Sequence, residues 1–128
     1  MSRIRSKDTK PEIIVRKHLF SKGFRYRIHV KNFPGKPDIV LRKYKTVIFV
    51  HGCFWHGHDG CKYYTVPKTR TEWWMSKINN NIIRDKNAEA LLRLDGWNII
   101  TVWECELKNK EQFQTLNLLT DSLKNKLK

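Results

Sequence analysis

Apolar side chains along the chain fall into two rhythms, a three-to-four spacing and an alternation of two. Val15 and Leu19 share one helix face, with Glu12 one turn earlier on the same side. Thr9-Lys10-Pro11-Glu12 opens that helix: Thr9 can cap, Glu12 can reach back to it, and Pro11 is tolerated in the first turn. The helix is expected to run to about Lys22 and to stop at Gly23. Phe24 to Val30 alternates β-formers and predicts a strand, followed by a loop over Lys31–Lys36. Pro37 to Leu41 predicts a second strand with Asp38 at its head. Arg42–Lys45 is the turn into a third strand, Thr46 to His51, whose apolar run suits burial on both faces. Gly52 to Pro67 is irregular and dense in Cys, His and aromatic residues, too rich for a simple connector.

Thr69-Arg70-Thr71-Glu72 is a second capping box, opening a long helix to about Asp95 that Gly96 ends. Its stripe is Trp74, Ile78, Ile82, Asp85, Ala88 and Leu92, an apolar face interrupted by one acid. Trp97 to Trp103 predicts a fourth strand, ending at Glu104-Cys105. Glu111 to about Lys126 predicts a last helix with Phe113, Leu116, Leu119 and Leu123 on one face. There is no internal repeat and no low-complexity tract. Helix, three strands, helix, strand, helix implies a three-layer α/β fold with a mixed sheet. At 128 residues this is a single domain. Residues 1–8 are expected to form a flexible arm and the C-terminal helix to fall within residues 109–128.

Charge changes the picture most. Lys and Arg number 26 against 12 Asp and Glu, for a formal net charge of +14. Such a chain calls for an acidic partner, nucleic acid before an anionic membrane surface. No apolar run approaches the ~18 residues of a membrane span, and no apolar stretch follows the basic N-terminus, so neither a membrane helix nor a secretory signal is expected. The expected location is the cytoplasm. Three cysteines, an odd number, fit metal ligation better than a disulfide framework in a reducing compartment.

Four groups of residues could carry chemistry. Cys53, His58, Cys61 and Cys105 supply the four sulfur and nitrogen ligands of a structural zinc, with His56 as the rival fourth ligand. The plain alternative is a buried Cys105 that packs as a small hydrophobe. Asp38 and His51 stand at the ends of adjacent strands and can meet at one rim of the sheet. There Asp38, with a main-chain carbonyl near Val50, could hold magnesium, and a neutral His51 could take a proton from an attacking water. The plain alternative for Asp38 is a turn residue after Pro37. Phe54-Trp55 and Trp73-Trp74 interleave aromatics with cations; adjacent helix residues lie ~100° apart, so Trp73 and Trp74 cannot both point inward. Aromatics of this kind can wedge between base steps, or simply pack a small core. Asp85, facing inward, needs a partner, either a protonated histidine or an Arg or Lys.

Pro34-Gly35-Lys36-Pro37-Asp38, Val47-Ile48-Phe49-Val50-His51-Gly52-Cys53-Phe54-Trp55-His56, Thr69-Arg70-Thr71-Glu72-Trp73-Trp74 and Val102-Trp103-Glu104-Cys105 together resemble the very short patch repair endonucleases. The likeness runs from about Thr9 to Lys108. It implies a restriction-endonuclease-like core, a mixed sheet flanked by helices. It implies magnesium-dependent nicking of one strand of double-stranded DNA, 5′ of the thymine in a thymine–guanine mismatch left by deamination of 5-methylcytosine. By the same likeness Asp38 and the Val50 carbonyl hold magnesium, and His51 is the general base or orients the water. His56 contacts the scissile phosphate with Asp85 behind it, and Glu12 sits nearby. Cys53, His58, Cys61 and Cys105 hold zinc. Phe54, Trp55 and Trp74 enter the duplex beside the mismatch from the major groove, and Met1 stands where relatives reach the minor groove.

The sequence departs from the pattern of the family it resembles in places. The wider nuclease superfamily often has an acid and a lysine where this chain has Phe49 and His51, which puts more of the chemistry on histidine. Val50 replaces a frequent threonine, and Asp59-Gly60 lengthens the His58–Cys61 spacing. Two other readings stand beside the repair enzyme: a sequence-specific restriction or nicking endonuclease of the same fold, and a zinc-stabilised DNA-binding module without catalysis. A monomer is expected, since a single nick needs one active site, and a mismatch-repair protein is a partner the resemblance allows.

Overall fold

The computed structural model describes residues 9–28, 30–53, 68–108 and 111–125. Helix α1 spans Lys10–Ser21, as its apolar spacing requires. Its start differs from the expected capping box. Thr9 is extended, as an N-cap should be, but its hydroxyl donates to Glu12 Oε1 at 3.2 Å and caps no backbone amide. Gly23, at φ 87°, ends the helix and turns Phe24 back so that its N–H donates to the Leu19 carbonyl.

The first strand is much shorter than the expected Phe24–Val30: β1 is Arg27–Ile28 alone. Its neighbours are used elsewhere. Phe24 is buried with its ring 5.3 Å from that of Tyr44, and the Tyr26 hydroxyl donates to the Arg16 carbonyl. Strand β2 is Ile39–Leu41, beginning just after Asp38, and a 3-10 turn at Arg42–Tyr44 leads into β3, Thr46–His51. All six residues of β3 are buried, as its apolar run foretells for a central strand.

Helix α2 spans Thr71–Leu94 and returns the chain to β4, Asn98–Trp103. It begins later than the Thr69 box: Arg70, in the left-handed region at φ 55°, is the N-cap residue, and the Thr71 hydroxyl donates to the Lys68 carbonyl. A 3-10 turn at Glu104–Leu107, not foreseen from the sequence, follows β4, and α3 closes the fold at Glu111–Asn125. On α3 the expected face is right at Leu116, Leu119 and Leu123 but wrong at Phe113. That ring is 74% exposed, and Thr120 takes a buried place instead. Thr120 satisfies its hydroxyl on the Asn117 carbonyl at 3.0 Å, so it can enter the core without an orphaned donor.

The sheet order is β1-β2-β3-β4, antiparallel across the first two pairs and parallel between β3 and β4. This is the mixed sheet the order of elements implies. Alternation divides its two faces. Ile39, Leu41, Ile48, Val50 and Val102 pack with Val15 and Leu19 of α1 and Leu116, Leu119 and Leu123 of α3. Val40, Val47 and Phe49 pack with Leu92 of α2 and Trp97 on the opposite face. The result is three layers, with β3 in the middle.

Candidate active site at the rim of the sheet

Because β3 and β4 run parallel, both end at the same rim, with His51 opposite Trp103. β2 runs antiparallel to β3, so its entry residue Asp38 lies at that rim too. Asp38 is locked there twice: its backbone N–H donates to the Ile48 carbonyl at 3.0 Å, and its Oδ2 accepts the Val50 N–H at 2.6 Å. A strand residue sends its N–H and C=O to the same side. The Val50 carbonyl therefore faces the Asp38 side of β3. Carboxylate and carbonyl oxygens on one side of one rim are the donor types that a hard divalent cation takes.

His51 has the parity of Val47 and Phe49 and so belongs to the α2 face. It is buried, its ring centroid 5.6 Å from Phe49 and 5.2 Å from Trp103. The backbone N–H of Trp103 donates to Glu106 Oε1 at 2.8 Å, which fixes the end of β4 that carries this ring. Glu106 has no motif to betray it; only the short turn after β4 gives it a role.

Helix α2 brings its own residues to the rim. Val47 and Leu92 share one cluster. A Cβ built on Gly35 would lie 2.7 Å from Ala88 Cβ and 3.2 Å from Phe49 Cε1, so the 33–36 turn, Ala88 and Phe49 meet at one level. Two strand residues span about 6.6 Å and four helix residues about 6 Å. The step from Phe49 to His51 thus matches the step from Ala88 to the turn holding Arg84 and Asp85. Asp85, half-buried, lines a cleft of about 420 Å³ with Phe33, Gly35, Lys36, Asn81 and Arg84. The histidine that the resemblance pairs with it, His56, lies outside the described residues.

Glu12 approaches from the other face. It is 3% exposed, and its carboxylate accepts from Thr9 and from Arg16 Nη2 at 3.0 Å, an ion pair within α1. Lys10, Pro11 and Ile14 share a second cleft with Glu104 and Leu107, so the first turn of α1 stands at the rim where β4 ends. Glu12 and His51 thus reach one rim from opposite sides of the sheet.

Cys53 and Cys105 each follow, by two residues, the paired strand ends His51 and Trp103. Cys53 is fully buried and Cys105 half-buried. Among the described residues no three metal-ligating side chains come together. Met1, Phe54, Trp55, His56, His58 and Cys61 lie outside the described residues. Trp74 is half-buried, while Trp73, 43% exposed, carries Arg70 and Lys77 over its ring at 4.8 and 5.2 Å. The two indoles meet edge to face at 4.7 Å. One tryptophan turns in and one out, as the helical angle requires. The exposed Trp73 between two cations was readable from the basic residues three before and four after it.

A family model described as DNA mismatch endonuclease Vsr matches residues 1–62. The chain is 56% identical over 110 residues to the Type II nicking enzyme V.NmeAIP of Neisseria meningitidis, covering 86% of this chain and 78% of that protein. It is 50% identical over 109 residues to the Type II nicking enzyme V.XorIIP of Xanthomonas oryzae, covering 85% and 79%. It is 41% identical over 123 residues to the DNA mismatch endonuclease Vsr of Escherichia coli K12, covering 96% and 78%.

Proposed function

The chain belongs to the Vsr family of DNA endonucleases and is a nuclease, and on that premise we propose that it nicks duplex DNA on the 5′ side of the thymine in a thymine–guanine mismatch, with magnesium. The contact between Asp38 Oδ2 and the Val50 N–H, with His51 the next residue along β3, carries this reading. It supports a rim at which an oxygen-donor site and a proton acceptor stand side by side.

Asp38 and the Val50 carbonyl would hold the magnesium, which when bound stabilises charge developing on the scissile phosphate and lowers the pKa of water. His51, wedged between Phe49 and Trp103, is held in one orientation from which its imidazole can accept a proton from water. His56, oriented by Asp85, would donate to the phosphate. Glu12, already engaged by Arg16, adds negative charge to the rim from the α1 side. Phe54, Trp55 and Trp74 would wedge beside the mismatch, a step that opens at less cost than a paired one. Cys53, His58, Cys61 and Cys105 would bind structural zinc. The matched exit of Cys53 and Cys105 from parallel strands supports their half of that set. The basic surface supplies affinity for the backbone without regard to sequence.

The test is a magnesium-dependent nicking assay on duplexes carrying one thymine–guanine mismatch in randomised flanks, beside the same pool fully paired. Nicks confined to the mismatched pool, 5′ of the thymine, are expected, and the flanks of the cut molecules would reveal the preferred sequence. Equal cutting of both pools would replace repair with sequence-specific nicking, the second reading, which the names of the Neisseria and Xanthomonas relatives favour. Binding to DNA with no cutting in either pool would leave a DNA-binding module.

A further inference from the structure

The cleft between the 33–36 turn and α2 has a use beyond holding Asp85. One wall is Lys36, the other Arg84, with the Asn81 amide beside it and Phe33 among the lining residues. Lys36 is presented by a stiff turn. Its N–H donates to the Phe33 carbonyl at 3.1 Å, prolines precede and follow the Gly35-Lys36 pair, and Gly35 is pressed against Ala88. Lys36 itself sits in the left-handed region at φ 49°, a conformation that disfavours a lysine. Strain of this kind is kept where the surroundings hold it, often beside a functional site. Arg84 is held differently: its Nη2 donates to Asn81 Oδ1 at 3.0 Å, which aims the guanidinium without neutralising it. Among the described residues neither cation has a carboxylate within ion-pair distance. The one acid of the cleft, Asp85, is half-buried on the turn level with His51, while Lys36 and Arg84 are both exposed.

We propose that Lys36 and Arg84 form a two-sided clamp for the DNA backbone, holding a phosphodiester that neighbours the one cut at the Asp38–His51 rim. The inference rests on the nicking reading only for the position of the DNA. The affinity of the clamp does not require cleavage. Lysine acts in it as a point charge, and arginine can donate two parallel hydrogen bonds to phosphate oxygens. Two fixed cations on opposite walls would set how far the strand slides past the rim, so the clamp places the scissile bond as well as adding affinity.

The experiment measures binding of a mismatched duplex without magnesium across a salt series, so that no cleavage intervenes. Lys36→Asn keeps a residue that tolerates the left-handed backbone, and Arg84→Gln keeps a helix former. Lys124→Gln, on α3 across the sheet, removes the same charge elsewhere and is the control. Each clamp variant is expected to lower the slope of log affinity against log salt by about 0.9, which is about eightfold in affinity at 0.1 M salt. The control should leave it unchanged. Neutral methylphosphonate linkages, placed singly along the strand, should weaken the wild type at one or two positions near the cut, and that penalty should vanish in the double variant. Equal losses in the control, or a penalty that persists in the double variant, would overturn the clamp. A wild type that does not bind duplex DNA would overturn it as well. A wild type that binds as described but does not nick the mismatch would sink the nicking reading and leave the clamp standing.

Discussion

At the scale of single residues, Asp38 has two tasks that can be separated. It accepts the Val50 N–H, which is structural, and it would offer oxygen to magnesium, which is chemical. Asp38→Asn keeps an acceptor for the amide and loses the charge. Asp38→Ala loses both and leaves a partly buried N–H unpaired, at a cost of about 1–3 kcal/mol. Both variants should lose nicking by about a hundredfold or more, while only the alanine variant melts clearly lower. An asparagine variant that nicks at the wild-type rate would remove Asp38 from the metal site. His18, on the last turn of α1, offers a pH test. Burial lowers its pKa below 6.5, Lys22 lowers it further, and the Leu116 carbonyl opposes them. The unfolded chain then binds the proton first as pH falls, so stability declines as pH drops below 6.5 and levels off beneath the folded pKa. Thermal melting of His18→Gln should show a flatter profile over that window than the wild type. Identical profiles would mean that the histidine is not coupled to folding.

At the scale of elements, two glycines show what the same substitution costs in different surroundings. Gly23 and Gly35 both have positive φ, but a Cβ on Gly23 meets nothing within 4 Å, whereas one on Gly35 runs into Ala88 and Phe49. Gly23→Ala should cost about 1–2 kcal/mol, the backbone term alone. Gly35→Ala adds about 1–3 kcal/mol of overpacking and pushes the turn away from α2, taking Lys36 and Asp38 with it. Chemical denaturation of both variants checks the difference; equal losses would mean that the turn gives way freely. The elements were largely legible from spacing: β3 from its apolar run, α2 from its stripe, both helix ends from Gly23 and Gly96. Failures came where side chains had better uses than the pattern suggested. Phe24 and Tyr26 look like strand residues, yet the core and the Arg16 carbonyl claim them, leaving β1 two residues long. Thr120 passes for surface until its hydroxyl is seen paired within its own helix. In the site, Asp38 and His51 were legible because strand ends meet at a rim. Glu106 and the Lys36–Arg84 cleft were not, since they depend on a 3-10 turn and a helix register that no local pattern encodes.

At the scale of the whole molecule, β3 joins two parts of the chain within the sheet. β2 pairs with it across a tight turn, while β4 returns after residues 52–97. A zinc ion held by Cys53 and Cys105 with two further ligands would tie the ends of β3 and β4 together. Cys105→Ser should therefore lower metal content and melting temperature together, read by elemental analysis and calorimetry on the same sample. Full zinc content with unchanged melting would place the fourth ligand elsewhere. The parallel pairing of β3 with β4 also dictates an order of events as the chain is made. The β2–β3 hairpin can close as soon as it emerges, because its contacts are local, whereas the β4 side of β3 must wait for all of α2 and the strand beyond it. Until then a strand that is buried along its whole length in the finished fold presents a bare edge to any other unfinished chain. Slow decoding of the α2 segment would lengthen that exposure, so the yield of folded protein should depend on how quickly the ribosome reaches Trp103.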